Sequence, residues 1–149
     1  MNWKKWEDSG ALRPLQTGPD QAARLLEAAQ RQLEETRKIL AAGVCAPARD
    51  EAYGAMLKAG MALIMAYGYR PETGCHHVTT VRVVAELLGP GRSGLAKAFN
   101  DLRKVRHDRL YDGMDFCTPE EASRAIDRAA ELLEFVEGEL RRPGGPPVA

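Results

Sequence analysis

A chain of 149 residues with 21 basic and 21 acidic side chains and a pI near 6.8 is long enough for one domain with a proper core. Its even charge balance excludes a protein that coats nucleic acid by bulk charge. Cys45, Cys75 and Cys117 are odd in number, widely spaced and lack a C-x-x-C pair, which excludes a disulfide framework and a structural zinc site; buried, reduced thiols are expected.

The start, Met1 to Asp8, has no apolar run behind Lys4 and Lys5, so no secretory signal is read there and cytoplasmic residence is the expectation. Residues 1–16 read as an irregular or short helical lead-in, with Trp3 and Trp6 spaced to clamp onto a core edge. Thr17-Gly18-Pro19-Asp20 is a helix start, and Ala22, Leu25, Leu26, Ala29, Leu33 and Leu40 keep a helical period up to Gly43. Pro47 suits the first turn of a second helix, in which Lys58 is the only charge between Ala52 and Tyr69. Its many Ala residues, with Gly54 and Gly60, suit the centre of a bundle better than a membrane span.

A third, shorter helix runs from about Cys75 to Leu88 and is broken by Gly89-Pro90-Gly91. Cys75-His76-His77 suggests a metal, yet three consecutive helical positions point about 100° apart and do not converge on one ion. Ser93 caps the fourth helix. Thr118-Pro119-Glu120-Glu121 combines a cap, a first-turn proline and an acid for the fifth, which carries Ala122, Ala125, Ile126, Ala129, Leu133, Val136 and Leu140 on one face up to Pro143. Residues 143–149, rich in Pro and Gly, are expected to be disordered. No segment alternates with strand period, so the expected fold is all-α: an up-and-down four-helix bundle with an additional short helix over residues 17–142.

The fourth helix holds the chemistry. Leu95, Phe99, Leu102, Arg106 and Leu110 share one stripe, so Arg106 sits inside an apolar face and must be paired, snorkelling, or turned into a cleft or interface. Arg103, His107 and Tyr111 follow at i, i+4 and i+8 down the adjoining flank. From Arg92 to Asp112 six bases face three acids, whereas Glu120 to Glu139 carries seven acids and two bases. A phosphate-bearing partner would be drawn to the fourth helix. No Glu-x-x-His pair supports a di-iron bundle and no G-x-x-x-x-G-K-[ST] loop a nucleotide hydrolase, so neither metal nor cofactor is called for.

The small-residue spine Ala52 to Ile64 with Gly68-Tyr69, the His76-His77 that opens the next helix, Leu102 to Asp112, and Thr118 to Ala122 together resemble HEPN domains, the higher eukaryote and prokaryote nucleotide-binding family, over about residues 17–141. The resemblance implies a bundle that pairs as a homodimer, with a motif of each copy facing a shared cleft. Many members are metal-independent ribonucleases using an arginine, a variable polar residue and a histidine; others are antitoxins, partners of nucleotidyltransferases or interaction modules. Arg106 matches the motif arginine and His107 the variable position, but Tyr111 stands where the ribonucleases have histidine. A phenol, with an ordinary pKa of about 10, is a poorer proton shuttle near neutrality than an imidazole at about 6.5. The alternative frame, Arg103 to His107, is one residue short.

The expectation is therefore a non-catalytic module. Arg103, Arg106, His107 and Tyr111 would line a cleft for a nucleotide, an RNA phosphate or a partner protein, in a toxin–antitoxin or nucleotidyltransferase-associated setting and with no membrane. The alternative is a metal-independent endoribonuclease using Arg106 with His107 or Tyr111.

Overall fold

The computed structural model describes residues 1–16, 20–112 and 116–146, the last two residues of the 112-ending helix by backbone alone. Its elements are α1 (Trp3–Asp8), β1 (Leu12–Pro14), α2 (Asp20–Ala41), α3 (Cys45–Ala66), β2 (Tyr69–Pro71), α4 (His76–Leu88), α5 (Ser93–Asp112) and α6 (Pro119–Arg141). Short 3-10 turns at Thr73–Cys75 and Pro90–Arg92 lead into α4 and α5. The fold is all-α apart from one small strand pair.

Helix α3 is the hub, packed by α2, α6, α4 and α5. Its alanines and glycines let those neighbours come close: Ala52, Ala55, Ala59, Ala62 and Leu63 are all fully buried. Gly60 marks the crossing of α4, because a Cβ there would lie 2.9 Å from the Thr80 and Val84 methyls. Those β-branched side chains are stiff in a helix and have little room to yield. Gly60→Val is accordingly expected to cost about 1–3 kcal/mol, read as a lower urea midpoint.

Helix boundaries follow local chemistry. Thr118 accepts the Glu121 N–H at 3.1 Å with Pro119 in the first turn of α6. Gly89, at φ 73°, closes α4 in a conformation that other residues rarely adopt, and so sets the angle at which α5 departs. Thr17, the cap expected for α2, lies outside the described residues, as do residues 113–115 and 147–149. Residues 143–146 form a turn in which the Gly145 N–H donates to the Arg142 carbonyl at 2.9 Å.

Two expectations need correction. Strands are present: β1 and β2 pair antiparallel, Leu12 opposite Pro71 and Pro14 opposite Tyr69. Each has three residues, too few for alternation to register, and what holds them is burial of Leu12 with Ile64 and Val83 under Trp3, Trp6 and Tyr69. Trp3 stacks on Tyr69 with ring centroids 5.3 Å apart, and the Trp6 indole donates to Glu86 at 3.2 Å. The cysteines are free, yet they are not core residues: Cys75 is exposed and the other two are half-buried.

A cavity between the start of α4 and the second half of α5

Helix α5 is buried only in its first half. Leu95 is 4% exposed and Phe99 fully buried, but Leu110, three turns further along the same stripe, is 70% exposed. Arg106 lies between these regimes, half-buried, where α5 leaves the core. A partly buried ion-pair cluster lies at this outgoing end. Asp50 pairs with Arg109, and Arg49, only 6% exposed, donates to the Phe116 carbonyl at 3.2 Å and lies 3.7 Å from Glu121. The start of α3 thereby holds α5 through Asp50 and the start of α6 through Arg49.

Opposite this half of α5 stands the uncapped start of α4, where Cys75 at the cap position makes no side-chain capping bond. Between them is a cavity of about 480 Å³ lined by Thr73, Gly74, Cys75, His76, His77, Val78, Arg103, Arg106, His107 and Leu110. The chain has three histidines, and all three line this one cavity. Among the described residues the lining holds no carboxylate. Two guanidiniums and the positive end of α4 therefore give this lining a positive electrostatic character.

A second cavity, of about 590 Å³, lies where the start of α5 faces the end of α6. It is lined by Glu131, Glu134 and Glu139 as well as Arg92 and Arg128, and the Arg92 guanidinium is already seated over the Phe135 ring at 4.9 Å. Its acids outnumber its bases, so an anion gains nothing there.

Hydrogen bonds fix the groups around the first cavity. The Arg103 Nε–H donates to Asn100 at 3.0 Å, which sets the plane of the guanidinium. His76 Nδ1–H donates to the Thr73 carbonyl at 3.1 Å, so the neutral ring carries its lone pair on Nε2. The Tyr53 hydroxyl lies 2.8 Å from His77 Nδ1, and the His76 and His77 rings meet edge-on with centroids 4.4 Å apart. Beneath them the Tyr53 ring rests on Phe99 at 5.9 Å.

Burial pushes the Tyr53 phenol up to about 12 against the opposing fields of Arg103 and Arg106, so it is a hydrogen-bond donor at neutral pH. A protonated hydroxyl can donate to His77 Nδ1, and in that arrangement the neutral His77 ring carries its proton on Nε2. Burial first, then the positive charges of His76, Arg106 and Arg103, lowers the His77 pKa below the ordinary value of 6.5. The unfolded chain therefore takes up this proton at a higher pH than the folded one does. Stability is fully present above the unfolded value and falls as pH drops through it toward the folded one. His77→Gln is expected to flatten the fall in Tm between about pH 7 and about pH 5, measured by thermal melts.

Of the residues singled out in the sequence, Arg103, Arg106 and His107 come together on this wall. Tyr111 lies in the last turn of α5, and its side chain is outside the described residues. Helical spacing within α5 did not show what faces it: His76, His77 and Tyr53 come from helices far away in sequence. The one available signal was that the chain's other two histidines sit together at a helix start. Among the described residues no three His, Cys, Asp or Glu side chains are grouped to hold a metal. No described helix is long and apolar enough to cross a membrane.

None of the curated proteins searched matches the chain. A model of the HEPN domain matches residues 22–139, which spans α2 to α6 and the whole of this cavity, and the chain belongs to that family.

Proposed function

We propose that the α4–α5 cavity binds the phosphate of RNA or of a nucleotide, with Arg103 and Arg106 as the main anion holders. The observation that carries this is the composition of the wall: two arginines and every histidine in the chain, with no carboxylate among the described lining residues. Guanidinium groups suit phosphate because their forked N–H donors match its oxygens. Binding is the role that α5 supports by itself, since Tyr111 replaces the imidazole of the ribonuclease motif.

The cavity rim favours a second copy of the chain as its cover. Val78 and Leu110 line the cavity yet are 38% and 70% exposed, an apolar edge beside a charged site. HEPN domains often dimerise, and a dimer across this edge would bring two basic walls to one cleft and lengthen the track for a polyanion. The test is fluorescence anisotropy with a short single-stranded RNA on protein whose mass is fixed by light scattering. Binding that weakens with added salt is expected. Binding indifferent to salt, or none at all, would refute the assignment.

A further inference from the structure

We propose that the same cavity is an acid–base site for RNA cleavage in which the working imidazoles come from α4: His76 Nε2 takes the proton of a 2′-hydroxyl and His77, backed by Tyr53, supplies one to the departing 5′-oxygen. The proposal rests on the phosphate-binding role argued for Arg103 and Arg106. It places the proton chemistry on residues outside the α5 motif, whose own histidine position is Tyr111.

The base assignment follows from a tautomer fixed at His76, and the acid assignment from the contact between His77 and the Tyr53 hydroxyl. A backbone carbonyl can only accept, so the bond from His76 Nδ1–H to Thr73 leaves Nε2 as the open lone pair of a general base held in orientation. At His77 the Tyr53 hydroxyl lies 2.8 Å from Nδ1, and with that hydroxyl donating, as the proposed step requires, Nε2–H is the open donor. With centroids 4.4 Å apart, the two rings present a base and a donor side by side. An in-line displacement needs groups at both the attacking and the leaving oxygen, and two-metal nucleases meet that need with ions roughly 3.5–4 Å apart.

The step balances. The 2′-oxygen loses its proton to His76 Nε2 and forms a bond to phosphorus, while the bond from phosphorus to the 5′-oxygen breaks. The 5′-oxygen takes the Nε2 proton of His77, and the Tyr53 phenolic proton moves to His77 Nδ1 behind it. The products are a strand ending in a 2′,3′-cyclic phosphate and a strand beginning with a 5′-hydroxyl. His76 is left protonated and Tyr53 as phenolate; exchange through water resets both. A phenol at about 12 is a far stronger acid than water at roughly 15.7, so it can serve an alkoxide leaving group. Arg103 and Arg106 act on Tyr53 in the right sense, since their charge favours the phenolate.

The experiment uses the full chain, a 5′-labelled single-stranded RNA for cleavage in EDTA, and its uncleavable 2′-O-methyl form for binding. Wild type is expected to cleave and leave a 2′,3′-cyclic phosphate end. His76→Ala is expected to lose at least about 100-fold in rate while still binding the uncleavable RNA. Tyr53→Phe, which keeps the buried ring, is expected to lower kcat with KM unchanged, a split that a merely structural role would not give. Wild type that binds the uncleavable RNA but never cleaves would overturn this proposal and leave phosphate binding standing. Cleavage untouched by His76→Ala would overturn it as well. Wild type that binds neither RNA would defeat both.

Discussion

Removing both guanidiniums, as Arg103→Ala/Arg106→Ala, is expected to weaken single-stranded RNA binding by about 100- to 1,000-fold at low salt. A hydrogen bond to a charged group contributes about 1.5–3 kcal/mol, and two such losses in one site fall short of simple addition. The salt dependence should soften by about one phosphate for each arginine removed. Fold stability should fall little, because the bond lost, Arg103 to its helix neighbour Asn100, is local and like charges on the wall are being thinned. A second readout separates this from unfolding. Arg106 and Arg103 both depress the His77 pKa, so the double variant should raise it toward 6.5, observable by imidazole NMR titration. An unchanged affinity would place the anion elsewhere on the molecule.

Phe99→Ala is expected to cost about 3–5 kcal/mol, a large share of the roughly 5–15 kcal/mol that holds a domain of this kind together. Phe99 is fully buried where α5 meets α3, and its ring lies against Tyr53 at 5.9 Å and next to Gly60. The cavity left by its removal cannot collapse easily, since Gly60 of α3, which faces it, already lies close against Thr80 and Val84 and has no side chain to fill the gap. Urea unfolding should show a lower midpoint at unchanged slope. The variant should also lose RNA binding before it loses its helices, because Tyr53 is the floor on which His77 rests. A cost under about 1 kcal/mol would contradict the description of this part of the core.

The four long helices and the shorter α4 were legible because their ends carry local chemistry. Thr118 with Pro119 and Glu121 announces α6, and Gly89-Pro90-Gly91 separates α4 from α5. The spacing of Arg103, Arg106 and His107 placed three groups on one side of α5, and the cavity is where they point. What helical spacing could not give is the partner of that side. His76 and His77 read as adjacent helix positions that could not share a metal, a statement about directions within α4 alone. Their meeting with α5 depends on how two helices pack, with Gly60 of α3 against Thr80, Val84 and Phe99 and Gly89 at the turn between α4 and α5. Tyr53 read as one more spine residue, since burial is legible in a sequence and a hydrogen bond to a residue 24 positions away is not. The Arg49 and Asp50 cluster escaped for the same reason. Arg106 was placed inside an apolar stripe, but that stripe leaves the core beyond Phe99 and its last member, Leu110, faces outward.

The most direct test of the proposed phosphate site is an imidazole NMR titration with a short single-stranded RNA, because the three histidines are natural probes of one cavity. The account predicts that His76, His77 and His107 shift together as RNA is added, with His77 gaining protons as a bound phosphate offsets the positive charge around it. Backbone signals from the cavity formed by Arg92, Arg128 and Phe135 should stay still. Unmoved histidines in a sample that demonstrably binds RNA, or shifts confined to that second cavity, would contradict it.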